Sequence, residues 1–131
     1  MDSSNWYAAL TKPKWAPPAG VFGPVWSLLY ILIAVSFGYV FIQFFQGDLS
    51  WPVVLPFILN LLFNFAFTPL QFGLKNNLLA AVDILLVLLT LIWAVVGIGP
   101  QIPWVAYINI PYLLWVGFAT ALQLEITRLN R

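Results

Sequence analysis

The chain has 131 residues, of which 63% are hydrophobic and only 7% charged. Soluble domains carry roughly 25% charged residues, so this composition belongs to an integral membrane protein. A net charge of +1 leaves no basic field for nucleic acid, and the absence of Cys and His excludes disulfides, thiol catalysis, the usual zinc sites and His-based triads.

No apolar core of a signal peptide precedes the first long apolar run: the N-terminus reads MDSSNWYAALTKPK. Residues 1–20 read as a loop. Its stretch KPKWAPPAG cannot be regular helix, because Pro17 and Pro18 lack the backbone donor and each restricts the residue before it. Four segments then approach or exceed the ~20 residues that span a bilayer. They are expected as helices over residues 21–45, 52–74, 78–98 and 103–127. Short links, QGDLSW, KNN and GPQI, make sequential neighbours antiparallel. The expected fold is all-α: one antiparallel transmembrane bundle over residues 1–131, in a single domain.

Charge sets the orientation. Lys12, Lys14, Lys75, Arg128 and Arg131 are all the cations, and all lie at one end of such a bundle. The opposite loops hold only Asp48. The positive-inside rule then places both termini in the cytoplasm. Trp51, Trp93 and Trp104 fall where an outer aromatic belt is expected.

The second segment carries Asn60, Asn64, Thr68 and Gln71 in steps of four, four and three, with Phe67 beside them. That spacing puts the polar side chains on one helical face. Amides in hydrocarbon need partners, so the face is expected to meet protein or a cavity. It suits interhelical hydrogen bonding as well as a ligand. Asp83 is the one carboxylate well inside a span. An intramembrane acid is a functional candidate, although at its depth it could also reach interfacial water or pair with an amide of the second segment. No second buried acid and no intramembrane Lys or Arg accompanies it, which argues against an ion-coupled pump.

The first segment carries Trp26, Tyr30, Ala34 and Phe37 at near-helical spacing; the last carries Tyr112, Trp115, Ala119 and Gln123. Aromatic walls beside amides suit a flat, mostly apolar ligand with a few polar groups. Gly117 and Ala121 form a small-xxx-small pair, a candidate homodimer face. Glu125 and Arg128 form a surface pair.

The stretch NWYAALTKPKWAPPAGVFGPVWSLLYILI resembles the signature of the TspO/MBR family, the tryptophan-rich sensory proteins or translocator proteins, also known as peripheral benzodiazepine receptors. The resemblance continues through LNLLFNFAFTPLQFGLKN, AAVDILL and IPYLLWVGFATAL. It implies a five-helix membrane bundle that binds porphyrins, sterols and aromatic drugs in an internal pocket beneath a loop. Carried over by motif, Tyr7, Trp15, Pro17 and Pro18 belong to that lid and its hinge. Trp26 lines the pocket from the first segment, and Asn60, Asn64, Phe67 and Gln71 line it from the second. Asp83 lines it from the third; Tyr112, Trp115 and Ala119 close it from the last.

The implied function is a membrane-embedded sensor or carrier for tetrapyrroles such as protoporphyrin and for small apolar lipids. Porphyrin is then a ligand rather than a cofactor, and no metal is implied. Two alternatives stay open. One is light- and oxygen-dependent porphyrin degradation, with Trp26 and Trp115 as the catalytic candidates. The other is a structural or assembly role in the membrane. The sequence departs from the family in starting just ahead of Trp6, so four spans are expected instead of five. It also has Phe63 where many members have Trp, and Gln123 where the family usually has Asn.

Overall fold

The computed structural model of the chain describes residues 19–68 and 76–129, all arranged as helices and short links. Helix α1 is Ala19–Phe45, α2 is Trp51–Thr68, α3 is Asn77–Ile98, α4 is Pro103–Ile108 and α5 is Ile110–Leu129. Three stretches are long and apolar enough to cross a membrane: Gly23–Phe45, Asn77–Ile98, and Pro103–Leu129 taken through its break. Helix α2 is equally apolar over 18 residues, about 27 Å at 1.5 Å per residue. The rest of its expected span, to Leu74, lies outside the described residues.

Local chemistry sets the helix ends. Gly47, at φ +85°, closes α1. The Asp48 amide donates to the Gln43 carbonyl at 2.9 Å and the Gly47 amide to that of Phe44 at 3.0 Å. This is a Schellman cap, and the left-handed residue it needs is glycine. At the other end of the bundle, the Asn76 side chain accepts from the Leu79 amide at 3.0 Å and caps α3.

The last segment corrects the sequence expectation. It is not one helix over 103–127 but two, parted at Asn109, whose φ of −91° and ψ of 2° leave the helical region. Pro111 supplies the reason. It has no N–H for the Tyr107 carbonyl, and its ring crowds that carbonyl. The Asn109 side chain fills part of the gap, donating to the Val105 carbonyl at 2.8 Å and to Ser36 Oγ at 3.0 Å.

Helix α3 is the spine. It packs closely along α2 and α5, whereas α1 makes its fewer backbone approaches to α2 and α4. The inner line of α3 runs Ala80, Ala81, Asp83, Ile84, Val87, Thr90, Leu91, Ala94 and Ile98. Its small residues let neighbouring backbones approach, which matters because lipid leaves little hydrophobic drive between helices. The Thr127 hydroxyl donates to the Asn77 carbonyl at 3.0 Å, so the end of α5 lies against the start of α3. Leu29, Ile33, Phe37 and Val40 turn inward from α1, and large apolar side chains such as Ile31, Val35, Leu62 and Leu114 turn outward. Trp51, Trp93 and Trp104 are among the outward-facing side chains.

A polar seam beside a tryptophan pair

Asn60 and Asn64 do share one face of α2, and both are buried. They meet Tyr112, which is fully buried on α5. The Tyr112 hydroxyl donates to Asn60 Oδ1 at 2.7 Å and accepts from Asn64 Nδ2 at 2.7 Å. Asn60 Nδ2 donates onward to the Val87 carbonyl at 2.9 Å and to Thr90 Oγ1 at 3.3 Å. At the other end, the Tyr30 hydroxyl donates to Asn64 Oδ1 at 2.9 Å. The result is one donor-to-acceptor chain, Tyr30 to Asn64 to Tyr112 to Asn60 to α3. It ties four helices, and each bond polarises the next.

The tryptophans sit next to this seam. Trp26 and Trp115 meet edge to face, ring centroids 6.4 Å apart at 86°. Trp26 also lies 5.7 Å from Tyr30, and Trp115 5.5 Å from Phe118. Both indoles are half-buried. They bridge α1 and α5, two helices whose backbones do not pack closely. Deeper in the bundle Phe37 fills the same interval, with Phe57 at 4.8 Å and Tyr112 at 6.5 Å.

Asp83 faces inward and is 5% exposed, and its Oδ2 finds no hydrogen-bond partner. The expected pairing with an amide of α2 is therefore not seen among the described residues. Ala119 is buried and Phe67 half-buried. Gln123 is buried, and its amide donates to the Asn77 carbonyl and to Thr127 Oγ1, each at 3.3 Å. Tyr7, Trp15, Pro17, Pro18 and Gln71 lie outside the described residues. The stripe expected on α1 is only partly inward: Ala34 is exposed and Tyr30 is 38% exposed. Steps of four residues drift about 40° each around a helix of 3.6 residues per turn, which carries Ala34 off the inner face. Gly117 and Ala121 lie on the outer side of α5.

Thr90, Ser36 and Asn109 belong to the buried polar set and were not singled out by spacing. Asn109, two residues ahead of Pro111 in an apolar run, carried a readable signal of a helix break. Among the described residues no cluster of His, Cys, Asp or Glu could hold a metal ion.

Apolar helices with lipid-facing exteriors, joined internally by amides and tyrosine hydroxyls, define an integral multi-pass α-helical membrane protein. Comparison with known proteins makes the class specific. The TspO/MBR family model matches residues 1–129. The tryptophan-rich protein TspO of Bacillus cereus is 39% identical over 127 residues, covering 96% of this chain and 81% of that protein. The translocator protein of Homo sapiens is 36% identical over 137 residues, covering 98% and 77%. The tryptophan-rich sensory protein of Cereibacter sphaeroides is 32% identical over 131 residues, covering 99% and 80%. The chain belongs to the TspO/MBR family.

Proposed function

We propose that the chain binds a flat aromatic ligand of the tetrapyrrole class inside the membrane, between α1 and α5, as a sensor or carrier. The observation that carries this reading is the Trp26–Trp115 pair: two half-buried indoles at 6.4 Å bridging two loosely packed helices. A planar ligand can part such rings and stack on them. Asp83 Oδ2 is buried and has no hydrogen-bond partner among the described residues, which leaves it open to a polar group of a ligand. Tyr30 and Asn64 border the same region; Tyr7, Trp15, Pro17 and Pro18 lie outside the described residues, and only the family resemblance assigns them to a cover. Stiff prolines lower the entropy cost of ordering such a cover.

The test is a protoporphyrin titration of the full chain in detergent, read by tryptophan quenching. A saturable curve with a micromolar Kd, about −8 kcal/mol, is expected. Trp115→Phe is expected to lose much of the quench and Asp83→Asn to weaken affinity about tenfold. Identical curves for wild type and both variants would remove the assignment. The light-dependent reading rests on the same indole pair. Illumination of the complex that yields no new absorbing product would discard it.

Orientation belongs to the same proposal, with both termini cytoplasmic. The chain has no cysteine, so single-cysteine labelling is clean. Arg128→Cys should react from the cytoplasmic side and Gln46→Cys only from the other.

A further inference from the structure

We infer that the end of the bundle formed by the 46–50 and 99–102 turns holds a second binding site, one for an organic ammonium group, built from Tyr39, Trp104 and Asp48 with the amides of Gln43 and Gln101. These residues line a cavity of about 380 Å³ between the end of α1, the 46–50 turn and the 99–102 turn. That volume falls in the range of small-molecule sites. It is distinct from the Trp26–Trp115 region and does not depend on the function proposed there.

The chemistry is specific. Asp48 is the only charged residue between Val21 and Gly73, and every Lys and Arg of the chain lies in sequence at the opposite helix ends. Among the described residues the one ion pair is Arg128 with Glu125, so the Asp48 carboxylate pairs with no described cation. Beside it, the Tyr39 and Trp104 rings stand 5.0 Å apart and inclined at 60°. Two aromatic rings and a carboxylate lining one cavity are the groups that recognise a compact cation with a methyl or methylene shell. The amides can accept N–H bonds from a primary ammonium.

The site is also pre-formed. The Schellman cap ties the Asp48 amide to the Gln43 carbonyl at 2.9 Å, and Gly47 is held at φ +85°. Pro103 opens α4 and presets the backbone just before Trp104. An aromatic belt alone would need neither the carboxylate nor a concave recess, here open on one side.

An ammonium can arrive as a lipid headgroup or as a free amine. The test uses the full chain in nanodiscs of phosphatidylglycerol, titrated with choline and followed by ligand-observed NMR. A parallel arm uses mixed phosphatidylcholine and phosphatidylglycerol nanodiscs, with retained lipids counted by native mass spectrometry. Saturable choline binding identifies a free amine as a competent ligand. Selective retention of phosphatidylcholine identifies the headgroup. In either arm Asp48→Asn and Trp104→Leu should each weaken binding about tenfold. The neutral isostere 3,3-dimethylbutanol should not compete. The site is overturned by neither saturation nor selective retention in wild type that is helical by circular dichroism. Equal binding by Asp48→Asn, or competition by the neutral isostere, overturns it as well.

Discussion

Tyr112 is the residue on which the polar seam turns. Its hydroxyl is donor to Asn60 and acceptor from Asn64, each at 2.7 Å. Tyr112→Phe keeps the ring packed against Phe37 but strands an amide oxygen and an amide N–H in a dry interior. A buried unsatisfied group costs about 1–3 kcal/mol, and hydrogen bonds between membrane helices average about 0.6 and reach about 1.7. A loss of about 1–2 kcal/mol is expected, measured by unfolding in mixed micelles. An unchanged midpoint would mean that the seam does not hold the helices together. Asp83→Asn should behave oppositely. Its Oδ2 has no partner to lose among the described residues, so stability should hold or rise while ligand affinity falls. A side chain kept for binding and one kept for cohesion are separable by that pair of measurements.

At the scale of elements, two short features decide where helices stop. Gly47→Ala meets open space at the new Cβ, so its cost is conformational only. A residue with Cβ in the left-handed region costs roughly 1–2 kcal/mol, and Gly47→Asn should cost less. Asn109→Leu removes the donor to Ser36 and to the Val105 carbonyl, with an expected loss of about 1–2 kcal/mol. Pro111→Ala should be milder, because it gives the Tyr107 carbonyl a donor again. If Pro111→Ala proves the more damaging variant in the same unfolding assay, the bend itself holds the packing. The contrast explains what was readable beforehand. Apolar run lengths placed the end of α1, the start of α2 and both ends of α3 to within one residue, because bilayer thickness sets a span's length. They could not place the Asn109 break, because run length averages over the Asn109 and Pro111 that mark it. Four-residue spacing put Asn60 and Asn64 on one face. It could not name Tyr112, Val87 and Thr90 as their partners, since those depend on how three helices rotate against one another. The lid and Gln71 lie outside the described residues, and their roles rest on family likeness alone.

For the whole molecule, the unequal packing of the bundle is the consequential fact. Helix α3 buries 44% of its most apolar stretch, against 28% for α1. Among the described residues α1 meets α5 through rings: Trp26 with Trp115 and Phe37 with Tyr112. Tyr30 and Ser36 add hydrogen bonds to α2 and to Asn109. Long side chains spanning a gap hold two helices less firmly than interlocked backbones do, so α1 should sample a range of distances from α5. A ligand between the two would favour the docked arrangement by its differential affinity for it. Spin labels at Val35→Cys and Leu114→Cys, both lipid-facing, report that distance without touching the seam. Labels at Leu89→Cys and Leu114→Cys report the α3–α5 distance as a control. The α1–α5 distribution should be the broader of the two in the free protein. It should narrow on adding protoporphyrin, and the control should not move. Narrowing of both pairs would indicate general stiffening. Narrowing of neither, under conditions where the porphyrin is bound, would place the ligand away from the Trp26–Trp115 interval and would leave those indoles as packing between α1 and α5.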